Sequence, residues 1–189
     1  MMDPLLEKAL SRLISALDAL RIRHMVVGSL ASSVHGVYRA TADGDLLAAI
    51  APNQVAPLVA ALGPDWYADA DAMSSAVRAR RSFNVIHIPT AQKFDLFPVK
   101  TDFHAVEMDR AVTVPTAHSE LRVASTEDTL LSKLQWYREG GEVSDRQWSD
   151  ITGLIAANPA LDLDYVRSWA TRLRVKDLLA RALADAARG

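Results

Sequence analysis

Apolar residues recur at three- and four-residue intervals between residues 3 and 21, through Leu5, Leu6, Ala9, Leu10, Leu13, Ile14, Leu17 and Leu20. That period lines one face of a helix. The run His24-Met25-Val26-Val27 is too short for a helix and stops at Gly28-Ser29, which predicts a buried strand. Ser29 is placed to cap a second helix through about Val34, ending near His35-Gly36. Residues 45–51 form the next apolar run before Pro52, and helical patterns follow at 53–62 and 71–81. Segments 83–88 and 93–97 read as strands around the short polar link Pro89 to Gln92, a hairpin pattern, and a further β-like stretch covers 111–124. Beyond it the pattern is helical. Ser125 with Asp128 and Ser144 with Gln147 have the spacing of capping boxes; the first helix ends at Gly140-Gly141 and the second runs to Asn158-Pro159. Two more helices are expected near 162–173 and 175–187. The expected plan is an α/β (α+β) core over residues 1–124 and a C-terminal helical subdomain over 125–189.

Composition narrows the chemistry. Half of the 189 residues are apolar and 23% are charged, enough to build a core rather than a disordered chain. The absence of cysteine excludes a disulfide framework, a cysteine zinc site and a thiol nucleophile. The histidines (His24, His35, His87, His104, His118) never fall at metal-ligand spacing, so a zinc enzyme is not expected. A net charge of −2 and a pI of about 6.2 mean that any polynucleotide would have to be met by a local basic patch. Asp3 and Glu7 near the N-terminus do not fit a signal layout, and no apolar run approaches membrane-spanning length; the expected location is cytoplasmic.

The chemically informative segment is Val26-Val27-Gly28-Ser29 followed by Arg39-Ala40-Thr41-Ala42-Asp43-Gly44-Asp45. Asp43 and Asp45 are two residues apart, so on an extended strand their side chains share a face. Adjacent carboxylates repel unless a cation or proton intervenes, and hard oxygen donors suit Mg²⁺ or Mn²⁺. Gly28-Ser29, between a strand and a helix, has the features of a phosphate site, with free amides and a residue that lets the phosphate approach the backbone. Taken singly, an Asp-x-Asp turn or a Gly-Ser cap is usually structural; their combination after a buried strand is what points to function.

Gly-Ser, a short helix, Asp-x-Asp and a later strand aspartate resemble the DNA polymerase β-like nucleotidyltransferase superfamily, with Asp95 in Lys93-Phe94-Asp95-Leu96-Phe97 where that superfamily has its third carboxylate. The stretch from Gly28 through Ala31, His35, Gly36, Arg39 and Thr41 to Asp43 is similar to the toxin-type AbiEii/MenT group. In that group the helical half supplies a lysine and another aspartate, matching Lys133 and Asp150 here. Both adjoin apolar helix positions, where a charge is unusual unless it pairs or does chemistry; the simpler reading is that they pair with each other or snorkel at the edge of the stripe. Gly44 departs from the family pattern, which has an aliphatic residue there, and is expected to loosen the strand.

The resemblance implies a metal-dependent nucleotidyltransferase that moves a nucleoside monophosphate from an NTP. Asp43, Asp45 and Asp95 would hold Mg²⁺ or Mn²⁺, Gly28, Ser29 and Arg39 the phosphates, and Lys133 with Asp150 would complete the site. By the same resemblance the acceptor is the 3′ end of tRNA and the partner a cognate antitoxin. Arg78, Arg80 and Arg81, joined by Lys93 and Lys100, form one candidate RNA-binding set; Arg167, Arg172, Arg174, Lys176 and Arg181 form a second. Two alternatives stand beside this reading: a small-molecule (aminoglycoside-like) or protein acceptor, and a worn nucleotide-binding module, for which Gly44 is the hint.

Overall fold

The computed structural model describes residues 3–38, 41, 43–116 and 120–188. The strands are β1 (His24–Val27), β2 (Asp43–Ala48), β3 (Trp66–Tyr67), β4 (Phe83–His87), β5 (Gln92–Pro98), β6 (Val112–Pro115) and β7 (Glu120–Val123). The helices are α1 (Pro4–Ala19), α2 (Gly28–Val34), α3 (Val55–Leu62), α4 (Ala70–Arg78), α5 (Asp102–Arg110), α6 (Thr126–Glu139), α7 (Asp145–Ala157), α8 (Leu163–Arg172) and α9 (Lys176–Ala186). The described residues of 1–30 and 40–123 make one compact unit, and those of 31–39 and 124–188 a second.

In the first unit all seven strands form one mixed sheet in the order β3-β4-β5-β2-β1-β7-β6. The expected α/β architecture is therefore present. β2 runs parallel to β5 and antiparallel to β1, and β1 is parallel to β7. Alternation along β2 and β5 separates two faces: Gly44, Leu46, Phe94 and Leu96 are buried, while Asp43, Asp45, Lys93 and Asp95 project from the other side. The helix expected over 3–21 is α1; the Asp3 carboxylate caps it by accepting from the Leu5 N–H at 2.7 Å, and Leu6, Leu10, Leu13 and Leu17 are fully covered. Leu5, assigned to the stripe from its spacing, is instead exposed.

Four elements depart from the sequence pattern, one of them the two-residue strand β3, which shows no period. The second strand begins at Asp43 rather than 45, so both aspartates lie within it. The β-like stretch 111–124 contains two strands, β6 antiparallel to β7. Helix α5 was not apparent because its inward stripe, Phe103, Glu107 and Met108, includes a carboxylate that interrupts the apolar period.

The second unit is helical, with α6 against α7 and α8, and α9 against α7 and α8. Ser125 and Ser144 are the N-caps of α6 and α7, accepting from the Asp128 and Gln147 N–H groups at 3.2 and 3.3 Å. The Asp128 carboxylate is completely buried, accepting from the Ser125 hydroxyl at 2.8 Å and the Tyr165 hydroxyl at 2.6 Å, which ties α6 to α8. The segment 31–38 joins this unit through His35: its Nε2–H donates to the Ala124 carbonyl at 2.7 Å, leaving Nδ1 to accept from the Thr126 hydroxyl at 3.0 Å.

Candidate active site

The carboxylates assemble because two strands that are distant in sequence lie side by side. Parallel pairing of β2 with β5 sets Asp45 opposite Asp95 and Asp43 opposite Lys93. All four side chains therefore leave the same face of the sheet. β5 is interior, flanked by β2 and β4, so Asp95 is not an edge residue. On its other side the β4–β5 hairpin places exposed Asn84 opposite Asp95. Asn84 carries a polar amide one strand away, at about 5 Å between Cβ atoms for such a pair. It was not among the residues selected from sequence, although the hairpin register, once counted, points to it.

Gly28 closes the cluster from the β1 side, where Val27 pairs with Asp45. Its φ of +64° is left-handed, and a Cβ there would stand 2.2 Å from Asp45 Oδ2. Only glycine allows the backbone to approach that carboxylate so closely. Ser29 follows, half-buried, as the second residue of α2. Arg39, selected from sequence as a phosphate ligand, lies outside the described residues, as does His118.

Lys93 takes a different role from the one its sequence position indicated. Its ammonium lies 2.9 Å from Asp95 Oδ2 and 3.4 Å from Asp43 Oδ2, bridging carboxylates of two strands. It is turned into the acidic cluster rather than contributing to an RNA-binding patch. The hydrogen bond to Asp95, reinforced by the charges of Asp95 and Asp43, holds its pKa above the ordinary lysine value despite some desolvation.

These residues fit a divalent ion in their donor chemistry. They present hard carboxylate oxygens on one face, glycine keeps space at Asp45, and an ammonium already stands as a cation between two of them. In this arrangement, among the described residues, no three His, Asp or Glu side chains are gathered closely enough to hold a metal. The carboxylates of Asp43 and Asp95 are directed at Lys93 instead.

Gly44 has a packing explanation. A Cβ there would lie 2.6 and 2.8 Å from Cδ1 and Cε1 of Phe94, a ring with no solvent exposure. Phe94, its partner across the β2–β5 pair, occupies the space an aliphatic residue at 44 would fill. The glycine therefore accommodates Phe94 and carries no sign of a worn site.

In the helical unit Lys133 on α6 and Asp150 on α7 form an ion pair of 2.8 Å, with side chains only 11% and 8% exposed. Of the simpler expectations for these two residues, pairing with each other is present as this contact. The second basic set is largely occupied as well. Arg172 stacks on Trp169 and Arg181 on Trp148, while Arg167 pairs with Asp164 at 3.6 Å. Arg78, Arg80 and Arg81 are exposed at the end of α4.

Solved structures of the nucleotidyltransferase fold match this mixed sheet with its helices. The antibiotic-resistance factor ANT(2″)-Ia, in a solution structure that reveals substrate-regulated conformation dynamics, aligns over 95% of this chain and 97% of its own with a TM-score of 0.57 and 16% identity. An antigenic nucleotidyltransferase-like protein from Paracoccidioides brasiliensis aligns over 95% and 92% with a TM-score of 0.55 and 17% identity. A crystal structure of ANT(2″)-Ia in complex with adenylyl-2″-tobramycin aligns over 88% and 95% with a TM-score of 0.53 and 14% identity. No family model and no curated protein sequence matches the chain. No helix among the described residues is long and apolar enough to cross a membrane.

Proposed function

We propose that this protein is a nucleotidyltransferase that moves a nucleoside monophosphate from an NTP to a hydroxyl acceptor. The observation that carries this reading is the placement of Asp43, Asp45 and Asp95 on one face of adjacent parallel strands, with the Gly28 backbone against Asp45. Asp43, Asp45 and Asp95 are the residues that would hold Mg²⁺ or Mn²⁺, which when bound supplies charge neutralisation to the triphosphate and acidifies the attacking hydroxyl.

The chain's own groups do the rest. Gly28 and Ser29 seat the phosphates, and Arg39 is a further phosphate ligand in this reading. The acceptor oxygen bonds to the α-phosphorus as the bond to the α,β-bridging oxygen breaks; pyrophosphate leaves, and the hydroxyl proton passes to a cluster carboxylate. Lys133 is the residue we assign to the negative charge of the transferring phosphoryl group, with Asp150 orienting its ammonium through their 2.8 Å contact.

For the acceptor, the toxin-type resemblance of the segment Gly28–Asp43 favours the 3′ end of tRNA, with a cognate antitoxin as protein partner; exposed Arg78, Arg80 and Arg81 are suited to an RNA backbone. A second reading, transfer to a small polyhydroxylated molecule, is favoured by the ANT(2″)-Ia complex with adenylyl-2″-tobramycin, which has the same fold.

The test is incubation with Mg²⁺, each α-³²P-labelled NTP and either total tRNA or an aminoglycoside panel, beside an Asp43→Ala/Asp45→Ala control. Label on one acceptor class that disappears in the control supports the transferase and identifies its acceptor. Absence of label on every acceptor, with no metal-dependent NTP binding, refutes it.

A further inference from the structure

Lys93 shares a strand and a face with Asp95 and is register-paired with Asp43, so its ammonium reaches the carboxylates of both strands. Stability is a weak reason for the arrangement. The side chains of Lys93 and Asp43 are 36% and 51% exposed, and ion pairs that open to water contribute little to folding. Geometry gives a stronger reason. A divalent ion bound to a carboxylate oxygen sits about 2.0–2.6 Å away, within the space where an ammonium at 2.9 Å would repel it. Two cations on Asp95 Oδ2 repel each other, so the ammonium weakens that oxygen's hold on a divalent ion. Lysine is also suited to leaving, because its compact charge rides on a flexible four-carbon stem that lets the ammonium move while its backbone stays in the sheet.

We infer that Lys93 is the resident counter-cation of the candidate metal site, holding Asp43 and Asp95 until a divalent ion displaces it, and that the displaced ammonium then binds the nucleotide's phosphates. Lys93 thus couples metal binding to nucleotide binding. This inference rests on the proposed metal-dependent nucleotidyl transfer. A bare ion must displace the ammonium with nothing offered in return, whereas an ion arriving with a triphosphate brings an anionic partner for it.

The measurement is Mn²⁺ binding, read from the free-ion electron paramagnetic resonance signal, with and without an α,β-methylene NTP analogue. The proteins are wild type, Lys93→Met, Lys93→Arg and Asp45→Asn, with folding checked by circular dichroism. Wild type should bind bare Mn²⁺ weakly and tighten on addition of the analogue. Lys93→Met should bind bare Mn²⁺ about tenfold more tightly, the effect of removing one neighbouring charge, and lose most of the nucleotide enhancement. Lys93→Arg should behave as wild type. A purely structural lysine would leave bare-ion affinity unchanged or weaken it on substitution. Mn²⁺ binding that is sensitive to Asp45→Asn but equal in wild type and Lys93→Met overturns the inference and leaves the transferase reading intact. Absence of Mn²⁺ binding in every protein, with or without analogue, overturns both.

Discussion

Replacing Gly44 by alanine perturbs the link between the buried and open faces of the sheet. The alanine Cβ would lie 2.6 and 2.8 Å from two carbons of the Phe94 ring. Carbon atoms prefer about 3.5–4.0 Å, so the ring or the strand must shift by about 1 Å. Phe94 is fully buried, with Trp66 at a ring-centroid distance of 5.7 Å, so its ring cannot move outwards. Overpacking of this kind costs about 1–3 kcal/mol. The loss of glycine's freedom in the unfolded chain returns about 0.4–1 kcal/mol, since Gly44 has no left-handed φ to forbid a side chain. The net expectation is a destabilisation of about 1–2 kcal/mol, lowering Tm by about 2–8 °C in calorimetry. Phe94→Leu should partly rescue it, with a favourable coupling of about 1 kcal/mol in the double mutant by urea denaturation. Because Gly44 separates Asp43 from Asp45, NTP binding should fall in Gly44→Ala and recover in the double mutant. A Gly44→Ala protein as stable as wild type, with no coupling to Phe94→Leu, would refute the reasoning.

Two further outcomes follow from buried charge. Lys133→Met removes the ammonium 2.8 Å from the Asp150 carboxylate, which is 8% exposed, and should cost about 3–5 kcal/mol in urea unfolding, whereas Lys133→Met with Asp150→Leu should regain most of the loss; equal destabilisation in both would contradict the buried-pair account. His87 is held neutral, because Arg12 can only donate to its Nε2, at 3.0 Å, while its Nδ1–H reaches the Thr90 hydroxyl at 2.7 Å. Desolvation first, then the Arg12 charge, lower its pKa below the ordinary 6.5, and desolvation lowers that of His104. The unfolded chain therefore takes up these protons first, so their contribution to stability is complete above about pH 6.5 and is lost as pH falls through the lowered folded-state values. Denaturation midpoints measured from pH 7.5 to 5 should show that decline, with a shallower slope in His87→Gln.

Elements whose signals are local could be read from the chain alone. The period of α1, the serine caps of α6 and α7, and the hairpin of β4 and β5 all depend on neighbours a few residues apart. The same holds for one part of the site, since Asp43 and Asp45 share a face by strand geometry. Helix α5 was concealed by its buried Glu107, and β3 is too short at two residues to show any period.

Register between strands remote in sequence has no local signal, and there only the tertiary structure decides. The β2–β5 pairing sets Asp95 beside Asp45, turns Lys93 from an apparent RNA-binding residue into the counter-ion of Asp43 and Asp95, and places Phe94 where Gly44 must have no side chain. Periodicity specifies which face of its own element a side chain takes; which charge or ring it meets there depends on a partner strand brought in by the fold.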